Sequence, residues 1–454
     1  MKKSLLLINP KIVNYPDFLF FPPISLGIIA AYTPDDWEVT LLDENTEALE
    51  VKHYDLVGIT TSHHFLRAYQ IAAYFREIGV PVVLGGLHSS AVPDEAEEHA
   101  DSVVIGDVEV VWRELLRDTE TGVLKRRYNG DNKEQQFIKP LTQFFRGNYF
   151  AYTLETSRGC FNHCLFCGLH IPTHRPYRRK PIETVIAELS DTTNPFVFIV
   201  DNNFYGRDEE YMFRLFDEMD KHGIRKSFFA GVSIDFFKNE KLVKRASECG
   251  LRMVFVGFEA DTEESLKALN KKNYNNPTDI FNEYRNIVKL AHRNRILISG
   301  KIIIGMPDDT IEKIENRVSF FKRLKLDEVS CAILTPLPMS RLFIQYRNNG
   351  ELLYNNFPED WLKYDYNNLA FRHRNLDKAY IDQKQSEINI LQKPSLKSCL
   401  KALMITRSFE GTFLYYAYAH YFFNFTSRML EKYFRCWGKS RNLRFPRSQY
   451  TGNY

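Results

Sequence analysis

Short apolar runs with β-branched character recur early in the chain, at 5–8 (Leu-Leu-Leu-Ile), 39–42 (Val-Thr-Leu-Leu), 56–59 (Leu-Val-Gly-Ile), 82–84 (Val-Val-Leu) and 103–105 (Val-Val-Ile). Loop residues and then a helix-like segment follow each run, and strand-helix alternation at this spacing means a parallel sheet. The predicted helices cover 25–32, 65–78, 94–99 and 109–117. The second is the clearest, with Phe65, Ala68, Ile71, Ala72 and Phe75 on one face. Right-handed crossovers give a doubly wound, Rossmann-like α/β domain of five strands over residues 1–135. A second series of strands is predicted at 152–156, 196–200, 227–232, 253–258, 297–304 and 328–334. It makes six βα units, a partial (β/α)6 barrel within 150–345, with its chemistry at the C-terminal ends of the strands. Intervening helices at 208–222, 240–248 and 310–324 carry acidic residues in their first turns, as the helix dipole favours. Residues 346–454 form a mostly helical C-terminal extension.

In the first domain the same rule directs attention to strand ends. The candidate ligand-binding residues there are Asn9, Thr60, Thr61, Ser62, Gly85, Gly86, His88, Ser89, Gly106 and Glu109. Several small residues at three consecutive strand ends leave room for a large flat ligand. No G-x-G-x-x-G follows the first strand, which counts against a nicotinamide or flavin dinucleotide.

Composition narrows the class without changing this picture. The 454 residues are 44% hydrophobic, and 60 Lys+Arg against 57 Asp+Glu leave a formal charge of +3. That suits two or three globular domains and gives no reason to expect nucleic acid as a partner. The N-terminal apolar run is too short for a secretory signal, and no stretch reaches the 18 or so apolar residues of a membrane span. The expected location is therefore cytoplasmic, where the seven cysteines stay reduced and a close cluster holds metal rather than forming disulfides.

Such a cluster stands at 155–170, Glu-Thr-Ser-Arg-Gly-Cys-Phe-Asn-His-Cys-Leu-Phe-Cys-Gly-Leu-His, with Cys160, Cys164 and Cys167 just after a predicted strand. Three thiols are one fewer than a closed zinc site or a fully ligated four-iron cluster takes, so one position stays open to substrate or cofactor. The competing reading is a zinc site completed by His163 or His170. Cys249, Cys331, Cys399 and Cys436 are scattered and read as small hydrophobic residues. The basic run from His174 to Lys180 reads as the solvated entry to a helix beginning near Pro181, with one arginine turned to the site.

The spacing C-x3-C-x2-C, with Phe166 before the third cysteine, resembles the signature of the radical S-adenosylmethionine (SAM) superfamily. The resemblance implies a [4Fe-4S] cluster on Cys160, Cys164 and Cys167, whose open iron is chelated by SAM. One electron then cleaves SAM to methionine and a 5′-deoxyadenosyl radical that abstracts hydrogen. In this family, SAM-holding positions at successive strand ends correspond here to Phe166, Asp201, Asn203, Ser233, Gly257, Glu259, Gly300 and Gly305. Asp201-Asn-Asn-Phe204 resembles an Asp-Asp-x-Phe segment, from which Asn202 departs. The stretches 335–343, 349–353 and 361–365 resemble the barrel end of the branch with an N-terminal cobalamin-binding domain, so the resemblance runs to about residue 365. It implies cobalamin against Thr60, Thr61, Ser62, Gly85, Gly86, His88, Ser89, Gly106 and Glu109. No histidine lies in the Asp-x-His-x-x-Gly pattern, so the cobalt's lower face would lack a histidine ligand, a state suited to methyl exchange.

The function so implied is a cobalamin-dependent methyltransferase acting on an unactivated carbon of a small-molecule or lipid-like substrate. It would draw electrons from an external one-electron donor of flavodoxin or ferredoxin type. Oxidative cyclisation or rearrangement without methyl transfer is the alternative within the family, and a SAM- or iron-sensing regulator the alternative outside it. The extension adds a dense aromatic run at 412–425, then seven Lys/Arg against one Glu to residue 447. A core helix with a solvated basic tail accounts for this. A peripheral membrane contact is the other reading.

Overall fold

The computed structural model describes residues 2–11, 21–50, 52–62, 64–130, 137–145, 149–170, 177–271, 279–391, 396–408 and 410–412. The first sheet is wholly parallel, in the order β2-β1-β3-β4-β5-β6, from β1 (Lys3–Asn9), β2 (Trp37–Asp43), β3 (Leu56–Thr61), β4 (Val82–Gly86), β5 (Ser102–Ile105) and β6 (Arg127–Asn129). It therefore has six strands, not five. The sixth, Arg-Tyr-Asn, has a single apolar side chain to show and pairs along one edge only, with β5. Alternation places Leu5 and Leu7 in one core cluster and Leu6 and Ile8 in another, which explains why the strands read as continuous apolar runs. The predicted helix at 109–117 divides into a 3₁₀ turn, Val108–Val110, and a helix, Trp112–Glu120.

The second sheet is also parallel, in the order β14-β13-β12-β11-β10-β7. Its strands are β7 (Tyr152–Leu154), β10 (Phe196–Ile199), β11 (Ser227–Val232), β12 (Leu251–Glu259), β13 (Leu297–Ile304) and β14 (Glu328–Ile333). Between β7 and β10 lies a small antiparallel ribbon, β8 (Ser157–Arg158) with β9 (Arg178–Arg179). Side-chain caps start the helices that return from the strand ends: Asp208 accepts from Tyr211 N, Asn239 from Leu242 N and Thr310 from Lys313 N. The lumen of the curved sheet is aromatic, with Phe198 stacked on Phe229 at 4.9 Å and Phe255 edge-on to both.

The two sheets meet closely. Phe21, from the first domain, packs on Phe198 at 4.6 Å, and Thr153 donates to the Pro22 carbonyl. Tyr149 donates to Asp43 at 2.9 Å. The extension closes the other side, where Trp361 Nε1 donates to Glu95 in the first domain at 2.8 Å. Helices Lys378–Leu391 and Leu396–Thr406 follow. The aromatic run from residue 413 onward and the basic stretch lie outside the described residues. No described helix is long and apolar enough to cross a membrane.

Candidate active site

The cysteine loop leaves the end of β7 through the ribbon. Asp201, just past β10, fixes this exit: its buried carboxylate accepts from Thr156 N at 2.7 Å, Thr156 Oγ1 at 2.5 Å and Ser157 Oγ at 2.6 Å. Asn202 accepts from Gly159 N at 3.2 Å. Gly159 sits at φ +89°, a left-handed turn that suits glycine and reverses the chain before Cys160. Asn162 N approaches Cys160 Sγ at 3.4 Å. Further on, Leu165 N donates to Leu269 O, Leu342 N to Leu165 O and Asn270 Nδ2 to His163 O, so two separate segments, 269–270 and the helix Arg341–Asn348, hold the loop.

Burial pushes the Cys164 thiol up to about 11 and raises that of Cys167, so these sulfurs become thiolates when a metal compensates the charge. Among the described residues, no three His, Cys, Asp or Glu side chains lie close enough to share one metal ion. Cys249 and Cys331 are buried among apolar residues.

Beside the loop lies a buried ion pair, Lys271 Nζ to Glu259 Oε1 at 2.7 Å, whose charges act on Cys164 and Cys167. Glu259 ends β12 at φ +65°, a conformation that side-chain-bearing residues rarely adopt, after a register break between Gly257 and Glu259. A Cβ on Gly257 would come within 2.4 Å of Glu259 Oε1 and 2.8 Å of Lys271 Nζ, so the glycine makes room for the pair. Asn203 and Ser233 bind one another across β10 and β11, through Nδ2 to Oγ at 3.2 Å and Ser233 N to Oδ1 at 3.3 Å. Gly300 is a packing position: a Cβ there would meet Leu326 at 2.5 Å and Phe258 at 3.3 Å. Gly305, at φ +77°, turns the chain into a segment held by Arg317, which forks onto Asp309 at 2.8 and 2.9 Å and reaches Asp261 at 2.8 Å. Phe166 is half-buried and packs against the main core.

On the first domain, Thr61, Gly85, Gly86, His88, Ser89, Gly106 and Glu109 all lie at or just beyond the carboxyl ends of β3, β4 and β5. Thr61 Oγ1 pairs with Ser89 Oγ at 2.6 Å and donates to Gly85 O. Gly86, at φ +125°, passes so near Thr61 that a Cβ would stand 2.4 Å from its carbonyl oxygen. Gly85 has open space, its Cβ position meeting only Val104 at 3.8 Å. In Leu87–Ala91 every side chain is buried except Leu87, which is 67% exposed. Small residues beside one presented leucine suit the face of a flat ring system. His88 is turned inward, stacked on Phe65 and bound to Glu95 at 3.1 Å. Asn9 donates to Asp43, and Ser62 contacts His64.

The two edges are tied together by Arg158 and Arg178, and of these Arg158 carries no assignment in the sequence analysis. Arg158 contacts Glu109 at 2.7 Å, Glu155 at 2.6 Å and Asp107 at 3.4 Å, and Arg178 contacts Asp107 at 2.6 Å. The expected solvated entry at 174–180 is thereby corrected for its described part. The ribbon turns Arg178 and Arg179 inward, Arg179 donates to the carbonyls of Phe204 and Tyr205, and Lys180 is buried against Glu188. Arg158 lies two residues before the first cysteine of the motif. Nothing in the sequence marked Lys271.

Comparison with known proteins agrees with this arrangement. The Radical SAM superfamily model matches residues 154–321 and the B12 binding domain model matches residues 17–116. The bacteriochlorophyllide d C-8(2)-methyltransferase of Chlorobaculum tepidum is 28% identical over 79% of this chain and 84% of its own length. The hopanoid C-2 methylase of Rhodopseudomonas palustris is 24% identical over 74% of this chain and 66% of its own. Among solved structures, the radical SAM methyltransferase TsrM from Kitasatospora setae, with cobalamin and a [4Fe-4S] cluster bound, shares the fold. It aligns with a TM-score of 0.64 and 18% identity, over 77% of this chain and 78% of that one. A B12 binding domain followed by a Radical SAM domain, with methyltransferase relatives along most of both, places the chain in the cobalamin-dependent radical SAM methyltransferase family.

Proposed function

We propose that the chain methylates an unactivated carbon of an apolar, ring-containing or lipid-like small molecule, with residues 1–135 holding cobalamin, 150–345 the cluster and SAM, and 346–454 closing the site. The observation that carries this reading is the direct ion pairing between the loop after β5 and the cysteine loop, which sets the two cofactor-bearing edges face to face. Cys160, Cys164 and Cys167 would ligate the [4Fe-4S] cluster, which supplies the electron for SAM cleavage. Glu259 and Lys271 present a fixed charge pair beside it, suited to the polar groups of SAM. Asp201, Asn203 and Ser233 position the strand ends on which SAM would lie, since their polar groups bond mainly to the protein itself. Thr61, Gly85, Gly86, Ser89, Gly106 and Leu87 form the cobalamin-facing edge, with Asn9, Thr60, Ser62, His88 and Glu109 around it. Phe198, Phe229 and Phe255 give the lumen an apolar aromatic wall, which favours such a substrate. The named relatives act on bacteriochlorophyllide d and a hopanoid, in keeping with that wall.

The electron donor would be of flavodoxin or ferredoxin type, in the cytoplasm. Exposed Leu400, Leu403 and Met404 on Leu396–Thr406 are consistent with a peripheral membrane contact. The test is to purify the chain without oxygen from cobalamin-supplied cells, then incubate it with reductant and SAM. S-adenosylhomocysteine together with 5′-deoxyadenosine supports methyl transfer. 5′-Deoxyadenosine alone would replace it with cyclisation or rearrangement, and neither product would point to a regulator.

A further inference from the structure

Arg158 and Arg178 stand opposite one another in the β8–β9 ribbon, whose paired residues are only Ser157 with Arg179 and Arg158 with Arg178. A ribbon this short is not stable alone, so its place is set by what its side chains hold. They hold three carboxylates, Asp107 and Glu109 from the first domain and Glu155 from the end of β7. Each is at least four-fifths buried at its side chain, and Glu155 Oε2 is enclosed without a hydrogen-bond partner. Both mounts are stiff. Asp107 follows Gly106, whose N–H is bound to Ser90 Oγ at 3.0 Å, and its carbonyl sits where a Cβ on Gly130 would come within 2.0 Å. Arg158 is separated from Cys160 only by Gly159, itself tied to Asn202.

We propose that Arg158, assisted by Arg178, is a positioning residue that sets the distance between the cobalamin-bearing edge and the cluster-bearing loop. This rests on the two-cofactor reading above. The physical ground is that arginine's planar fork reaches three carboxylates at once, which lysine's single ammonium cannot reproduce. Displacement of Arg158 would move Cys160 relative to the loop at Gly106–Glu109, and misplacement of reacting groups by about 1 Å costs on the order of a hundredfold.

The experiment compares wild type, Arg158→Gln, Arg158→Lys and Asp107→Asn, each loaded with both cofactors. The first readout is the relaxation enhancement that the reduced cluster imposes on the electron paramagnetic resonance of cob(II)alamin. It depends on distance and needs no methyl acceptor. The second is the ratio of 5′-deoxyadenosine to S-adenosylhomocysteine formed. The expected result is unchanged iron and cobalamin content in Arg158→Gln and Asp107→Asn, a weakened magnetic interaction, and a product ratio shifted on the order of tenfold or more. Arg158→Lys should recover only part of the interaction. Unchanged interaction in both charge-removing variants, with lowered thermal stability alone, would reduce the cluster of charges to structural glue and overturn the proposal. If Arg158→Gln fails to hold iron, Asp107→Asn decides, because Asp107 lies outside the cysteine loop. A wild type without cobalamin would sink the functional reading, a result distinct from unaltered coupling in the variants.

Discussion

At the scale of single residues, two glycines near the two proposed cofactor edges make contrasting demands. At Gly86 a Cβ would press on backbone atoms of Thr61, and the φ of +125° is itself closed to side-chain-bearing residues. Gly86→Ala should destabilise the first domain by about 1–3 kcal/mol, read from urea denaturation. At Gly257 the clashing atoms are the ends of two flexible side chains, Glu259 and Lys271, which can give way. Gly257→Ala should therefore change stability by less than about 1 kcal/mol yet weaken SAM binding, measured by equilibrium dialysis against the cluster-loaded protein. Unchanged SAM affinity in this variant would show that the pair has no part in holding SAM. The triple change of Cys160, Cys164 and Cys167 to Ala should abolish iron retention in an anaerobic iron assay, and retained stoichiometric iron would refute the ligand assignment.

At the scale of elements, the turn after β13 depends on one helix residue. Arg317 in Ile311–Leu324 is 1% exposed and donates to Asp309, Asp261, the Ile303 carbonyl and Ser265. Asp309 also accepts from Met306 N, so the fork holds the whole turn beginning at Gly305. Arg317→Met would leave Asp309 buried and unpaired, a loss of about 3–5 kcal/mol in chemical denaturation. A loss under about 1 kcal/mol would mean that water replaces the guanidinium without penalty. Much of this level was legible beforehand. The strands at 227–232 and 297–304 begin and end where the apolar pattern placed them. β6 was missed because one buried tyrosine between polar neighbours carries no period. The ribbon carries no apolar signal because three of its four residues are arginines, and its partners across the interface hold it in place.

At the scale of the whole molecule, the extension is fastened to the first domain by Glu95, which receives Trp361, Tyr69 and His88. Burial opposes the charge, but the hydrogen bonds outweigh it and hold the Glu95 carboxyl below its usual 4.5. In unfolded chains this carboxyl binds its proton more readily, so its contribution is complete above about pH 4.5 and lost as pH falls through the lowered folded value. Thermal stability of the wild type should fall across that acidic range more steeply than that of Glu95→Gln. Parallel curves would show that the contact contributes nothing.

The sequence alone determined the covalent chemistry and the local order. Three thiols within eight residues, apolar runs at strand length and small residues at strand ends are properties of neighbouring positions, and they led to two parallel sheets and to the proposed cluster loop and cobalamin edge. Tertiary structure decided which of those residues face outward and which hold one another. Asp201 and Asn203 bond mainly within the scaffold, His88 turns inward, Lys271 pairs with Glu259 12 positions away, and Arg158 reaches the first domain through Glu109, 49 positions away. The physical reason is that a hydrogen bond or ion pair between distant segments leaves no period or spacing in the chain. Only folding brings its two halves together.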